Sequence, residues 1–255
     1  MRCDVLTIFP GAVEAYAAVG VLGKAAVAGI VDVRVHDLRQ WAINRYGQVD
    51  DGPYGGGPGM VLLAPVVVRA VRELSACDPR PVHVVLPDAR GRRFTDAVAR
   101  ELATYERLLF VCGRYEGIDE RAHVLLGADE ISLGDYVLSG GELAALAMLD
   151  AALRHVPGVV GNPGSVAGDS FTSGLLDFPV YTRPSEFEGL TVPAVLASGN
   201  HAAVAAWRQR EAVRLTLRRR PDVIIASWSS LAHEVRRVVL EVAREEGISL
   251  PPVEG

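Results

Sequence analysis

Apolar residues in this chain fall in short blocks separated by polar or glycine-rich stretches. Val5 to Phe9 is apolar and runs into Pro10-Gly11, which predicts a buried strand feeding a loop. Val31 to Val35 alternates apolar and charged positions, as in a strand with one exposed face. Val82 to Leu86 reads as a strand stopped by Pro87, and Leu108 to Cys112 as another ending at Gly113. Glu130 to Leu133 reads as a short strand running into a loop at Gly134. Between them the spacing predicts helices over 95–105 and 118–126, the second closed by Gly127. Ser139 and Glu142 have the spacing of a capping box, and Leu146, Leu149 and Leu153 share one face of the helix that would follow. Strands alternating with helices predict an α/β domain, a mostly parallel sheet covered on both faces.

The pattern changes near Pro157. Gly158, Gly161, Pro163, Gly164 and Gly168 make 158–170 a linker by composition, so domains are expected at 1–157 and 171–255. The second domain reads as helical. One helix is expected over 202–220, with Asn200 as its cap and Pro221 as its stop. Leu231, Val235, Val238 and Val242 trace the stripe of another, ending at Gly247.

Composition narrows the class. The 255 residues are 49% hydrophobic and 22% charged, enough for a real core. The net charge of −5 argues against a nucleic-acid partner, so any such case rests on local charge. Cys3, Cys77 and Cys112 have no metal-ligand spacing, which suits a reduced compartment. A charge interrupts the first apolar stretch, and the longest uncharged run, Gly52 to Val68, is broken by Gly and Pro. A cytoplasmic protein with no membrane contact is therefore expected.

Several segments are candidates for chemistry. Asp51 to Met60 holds five glycines, which suits either close backbone approach to a ligand or a tight structural loop. It lacks the lysine of a phosphate-binding Walker loop and the spacing of a dinucleotide-binding loop. Gly113-Arg114-Tyr115-Glu116-Gly117 and Gly134 to Gly141 each follow a predicted strand, as does Leu86-Pro87-Asp88. Ligands in open α/β sheets sit beyond the carboxyl ends of strands, so these loops either wall one pocket or are unrelated turns. From Trp207 to Arg220 six arginines face a single Glu211, and Arg210, Arg214 and Arg218 share a helical face. This is a phosphate- or base-binding surface or an intramolecular ion-pair network.

Taken together, Asp4 to Pro10, Pro53 to Met60, Gly113 to Arg121, Leu133 to Glu142, Asp169-Ser170-Phe171, Leu175-Leu176-Asp177, Tyr181 to Pro184 and Arg219 to Asp222 closely resemble the bacterial tRNA (guanine-N1)-methyltransferase family of the knotted SPOUT superfamily. The resemblance spans essentially the whole chain. It implies a trefoil knot in the first domain, with S-adenosylmethionine held there by Leu86, Pro87, Gly113, Tyr115, Glu116, Gly117, Leu133, Gly134, Asp135, Tyr136, Val137, Leu138, Gly140 and Gly141. Leu86-Pro87-Asp88-Ala89 departs from the family's usual order at this wall. The resemblance further implies a homodimer with active sites shared between subunits, tRNA as substrate at position 37, and an association with Mg2+. Asp169 would take the N1 proton of guanine and Arg154 would stabilise charge on O6. Arg208, Arg210, Arg214, Arg218 and Arg219 would meet the RNA. A knotted RNA-binding protein without catalysis and a methyltransferase acting on another acceptor are the competing classes.

Overall fold

The computed structural model describes residues 1–161 and 169–249. The chain falls into two compact units, Met1–Gly161 and Asn162–Gly255. The first contains, in order, β1 (Arg2–Thr7), α1 (Pro10–Ala17), α2 (Gly20–Val27), β2 (Asp32–Asp37), β3 (Asp50–Asp51), β4 (Val61–Leu62) and α3 (Ala64–Ala76). It continues with β5 (His83–Arg93), α4 (Asp96–Ala103), β6 (Arg107–Val111), α5 (Glu120–Leu126), β7 (Asp129–Ser132) and α6 (Glu142–Leu153).

Five strands form one sheet in the order β2-β1-β6-β5-β7, and each neighbouring pair is parallel. Their carboxyl ends therefore share one edge. Alternation along the central strands sorts the core into two layers. Cys3, Val5, Leu108 and Phe110 join one cluster with residues of α1, α2, α4 and α6. Leu6, Leu109 and Val111 join the other with residues of α3 and with Ala122 of α5. The strands are buried on both faces because helices cover both.

The charges in β1 are also buried. Arg2 Nε and Nη2 donate to the Asp4 carboxylate at 2.9 and 2.8 Å, Arg107 Nε donates to it at 2.9 Å, and His36 Nε2 lies 2.8 Å away. Arg107 also donates to the carbonyls of Leu74 and Ser75 at the end of α3, where a cation is favoured by the helix dipole. Burial pushes the Asp4 carboxyl up, but hydrogen bonds from His36, Arg2 and Arg107 outweigh it and hold it down at about 2.

Several expectations change. Pro10 opens α1 instead of a loop, because proline at the first helical turn loses no hydrogen bond. The same holds for Pro65 in α3 and Pro221, which starts a further helix where a stop was expected. α2 too was not expected. Pro87 does not end β5; the ladder to β7 breaks between Pro87 and Arg92 and then resumes. The proposed capping box is absent, since α6 starts at Glu142 and is capped at Gly141 without a side-chain bond. Thr95 and Asp119, by contrast, cap α4 and α5 through their side chains, and Gly127 closes α5 in the left-handed conformation.

The second unit holds a two-stranded ribbon, β8 (Glu186–Phe187) and β9 (Leu190–Thr191). Three helices follow, α7 (His201–Arg219), α8 (Pro221–Ser227) and α9 (His233–Glu246). Asn200 caps α7 by accepting from Ala203 N–H at 3.1 Å. Leu175, Val213, Leu217, Ile224, Trp228, Val239 and Val242 form its core. Residues 162–168 of the expected linker lie outside the described residues. Among the described residues no helix is long and apolar enough to cross a membrane.

Replacing Asp4 with Asn leaves buried Arg107 without its carboxylate and Arg2 with Asp78 alone, so unfolding in urea should show a loss of roughly 3–5 kcal/mol. The Asp4 carboxyl is held below its unfolded value of 3.8. Its contribution is therefore complete above that pH and is lost as pH falls from about 4 through about 2. Asp4→Asn should flatten the pH dependence of stability across that window.

Candidate functional site

The bulge within β5 and the loops that leave β6 and β7 come together and wall one cleft. Leu86, Pro87, Gly113, Tyr115, Glu116, Gly117, Leu133, Gly134, Tyr136, Val137, Leu138, Gly140 and Gly141 all line it. Asp135 does not: its side chain is 96% exposed and lies 3.8 Å from Arg93. Asp88, Ala89, Arg114, Ile118, Ile131, Ser132, Ser139 and Ala144 complete the lining. Ile118, Ile131 and Ala144 are not singled out by the sequence, because nothing in the apolar pattern separates a core wall from a cleft wall.

Two contacts hold the loops against each other. Gly141 N–H donates to Gly113 C=O at 2.8 Å, and Arg114 and Gly140 form an antiparallel bridge. Gly141 must be glycine, since a Cβ there would stand 2.9 Å from Cys112 Cα and 3.0 Å from Gly113 N. Below them lies the buried Glu142 carboxylate. It accepts from Thr7 Oγ1 at 2.6 Å and from Arg114 Nε at 2.9 Å, and the Arg114 guanidinium also lies 4.5 Å from the Phe9 ring centre. These bonds commit Glu142 inward, which is why its side chain is not the reciprocal half of a capping box with Ser139.

The glycine-rich loop supports this wall from outside. None of Asp51 to Met60 is among the residues lining the cleft. Glu116 N–H donates to Met60 C=O and Leu62 N–H to Gly117 C=O, both at 3.0 Å. Gly59 has φ +90°, and a Cβ on it would collide with the Glu116 side chain. The loop needs glycine both for left-handed backbone and for this close approach.

The β5 wall owes its shape to the interruption after Pro87. Proline cannot donate to the ladder, so the chain bulges before Arg92 rejoins β7. Gly91 lies so close to the Glu130 backbone that a Cβ there would collide with it. The bulge brings Asp88 near His123 of α5 and Glu130 of β7, and one ligand atom from each lies within 4.8 Å of the others. Asp88 stands far from His123 and Glu130 in the chain, so no local spacing signals the group. An imidazole in the set is a poor match for Mg2+, which prefers oxygen ligands and water.

The other expected site residues are not among those that line the cleft. Arg154 is the half-buried C-cap of α6. Asp169 is half-buried in the second unit. Three arginines of α7 face the acidic side of α9. Arg210 pairs with Glu245 and Glu241, Arg214 with Glu246 at 3.0 Å and with Glu211, and Arg218 with Glu246 at 2.5 Å. The basic face is thus an ion-pair network along much of its length. Arg208 and Arg219 are exposed, and Arg208 lies 4.9 Å from the Phe178 ring centre. Phe178, Tyr181, Arg183, Trp207 and Arg208 help line a cavity of about 530 Å³ that the sequence pattern did not reveal.

A cleft built from backbone-rich loops beyond a parallel sheet, with apolar walls and few charges, defines an α/β enzyme that binds a small polar ligand at its strand ends. A family model, tRNA (Guanine-1)-methyltransferase TrmD, matches residues 1–226. Similar curated proteins are each named tRNA (guanine-N(1)-)-methyltransferase. One from Geobacter metallireducens is 48% identical over 249 residues, covering 98% of this chain and 100% of its own. One from Limosilactobacillus reuteri is 45% identical over 254 residues, covering 98% and 100%. One from Frankia alni is 49% identical over 246 residues, covering 96% and 92%. The chain belongs to the tRNA (guanine-N1)-methyltransferase family.

Replacing Glu142 with Gln removes the charge that holds Thr7, Arg114 and α6 together. Denaturant unfolding should show a loss of about 1.5–3 kcal/mol, the worth of hydrogen bonds to a charged group.

Proposed function

We propose that this protein transfers a methyl group from S-adenosylmethionine to N1 of the guanosine at position 37 of tRNA, beside the anticodon. The observation that carries this is the convergence of the β5 bulge and the loops after β6 and β7 on one cleft in a chain of this family. The lining suits the methyl donor. Leu133 and Leu138 offer apolar side chains for an adenine ring, and the loops Gly113–Gly117 and Leu133–Gly141 offer backbone N–H and C=O groups for its edge. Glu116 brings a carboxylate to the rim of the same cleft, complementary to a cationic sulfonium. The donor supplies an electrophilic methyl group attached to that sulfonium.

The acceptor needs help from the protein. N1 of neutral guanine carries a proton, and its lone pair is delocalised into the ring. Asp169 takes that proton as the N1–methyl bond forms, and Arg154 donates hydrogen bonds to O6, where negative charge accumulates. Holding both reactants in line accounts for much of the remaining barrier reduction. On this reading the chain works as a homodimer in the cytoplasm. Each cleft would be completed by Asp169 of a second copy, and the first domain would be threaded as a trefoil knot. Magnesium has no assigned role here.

Labelled S-adenosylmethionine incubated with total tRNA tests the activity, and nuclease digestion with mass spectrometry locates the methyl group. Label on guanine N1 at position 37 is expected. No transfer would favour a non-catalytic RNA-binding protein, and label elsewhere a different acceptor. Asp169→Asn should bind the donor normally but turn over about 10²–10⁴-fold more slowly, the usual worth of a general base.

The α7 ion pairs also sharpen the RNA expectation. Replacing Arg208 and Arg219 with Ala should weaken tRNA binding and reduce the slope of log affinity against log salt by about 2, one phosphate contact per arginine. Replacing Arg214 should leave that slope nearly unchanged, because its guanidinium is already held by Glu211 and Glu246.

A further inference from the structure

The second unit carries a cavity of about 530 Å³ that the proposed reaction does not use. Val204, Trp207 and Arg208 stand at i, i+3 and i+4 of α7 and so give it one face. The stretch from Phe178 to Ser185 supplies a second side. Val192 and Leu196 supply a third, tied to the second where Val192 N–H donates to Ser185 C=O at 2.9 Å.

The lining combines open aromatic rings with unspent cations. The Tyr181 and Trp207 ring centres lie 6.2 Å apart with planes tilted by 56°, so neither ring covers the face of the other. Tyr181 is 49% exposed and Trp207 half-buried, and neither belongs to the core of the unit. Arg208 lies 4.9 Å from the Phe178 ring centre, a cation–π contact that holds its guanidinium at the cavity. No carboxylate lines the cavity. Among the described residues Arg183 and Arg208 form no ion pair, whereas Arg210, Arg214 and Arg218 all do. The Trp207 indole N–H and the Tyr181 hydroxyl likewise make no hydrogen bond among the described residues.

An unstacked nucleotide needs this combination, a ring face for its base and a guanidinium for its phosphate. An apolar peptide side chain would use the rings but leave two cations without an anion. A duplex offers phosphates but keeps its bases stacked and out of reach. We propose that this cavity takes one unstacked base of a single-stranded RNA segment, stacked on Trp207 and Tyr181, with its phosphate on Arg183 and Arg208. The choice of RNA rests on the proposed action on tRNA. Every residue of the site belongs to the second unit, and none lines the strand-end cleft. The site selects single-stranded character over sequence, because every base has a π-face.

The probe is a short single strand of adenosine and cytidine, which cannot pair with itself and lacks the guanine that the methyl transfer needs. Its binding to the full-length protein is followed by anisotropy of a terminal dye and by tryptophan emission, beside the same strand annealed to its complement. The single strand should quench the emission and the duplex should not. Trp207→Phe keeps a ring and should bind as the wild type does with the quenching lost, since Trp41 and Trp228 are buried. Tyr181→Ala should weaken single-strand binding roughly 5- to 100-fold, the usual worth of one stacked base. Arg183→Ala should reduce the slope of log affinity against log salt by about 0.7, one phosphate of a single strand. Far-ultraviolet circular dichroism of each variant establishes that it is folded.

The proposal is overturned if the single strand fails to quench, if the duplex quenches equally, or if Tyr181→Ala or Arg183→Ala binds as the wild type does. Emission that changes with protein concentration alone would assign the face to a second copy of the chain and overturn it too. Methyl transfer to tRNA is scored separately. Transfer without quenching sinks only the base site, and quenching without transfer sinks only the proposed reaction.

Discussion

Glu142 brings a carboxylate into the interior at the first turn of α6, where it meets Thr7 at the end of β1 and Arg114 after β6. Burying that charge is tolerable only because it is doubly hydrogen-bonded and lies at a helix N-terminus, where the dipole favours an anion. The cleft depends on this. Arg114 is drawn to Glu142, and Gly141 closes against Gly113. The loop after β7 is then held beside the loop after β6. Two glycines and one ion pair thus hold the loops after β6 and β7 together as one side of the site.

A second buried carboxylate plays the matching part away from that edge. Asp4 joins Arg2, Arg107 and His36, and through Arg107 it ties the carbonyls at the end of α3 to the middle of the sheet. The two carboxylates therefore pin opposite parts of the same sheet. Both are replaceable in principle by apolar packing, but loss of one partner leaves the others buried and unpaired. The cost of disturbing either is concentrated in a few side chains.

Charge is arranged by similar pairing in the second unit. A chain of net charge −5 carries an arginine-rich helix because α9 supplies Glu241, Glu245 and Glu246 against it. Much of the basic face is consumed internally. What remains for an anionic partner is exposed Arg208 and Arg219, with Arg183 and the aromatic cavity beside Arg208. Exposed ion pairs of this sort contribute little stability each, so their main effect is to decide which arginines stay available.

The sequence by itself determined the parallel sheet, its buried strands, most of the helices after residue 90 and the family. Apolar periodicity and caps such as Thr95, Asp119 and Asn200 are local, and a run of motifs in order is specific. It missed α1, α2 and α3, because Pro10 and the Gly- and Pro-rich run before Val66 look like breakers until proline is seen to sit at a first helical turn. Only the tertiary structure decided which loops share a cleft, that Asp135 faces away from it, and that Glu142 points inward. It also decided that half the basic helix is neutralised and that Asp88, His123 and Glu130 meet. Each of these depends on contacts between residues distant in the chain, which no local pattern of hydrophobicity or charge encodes.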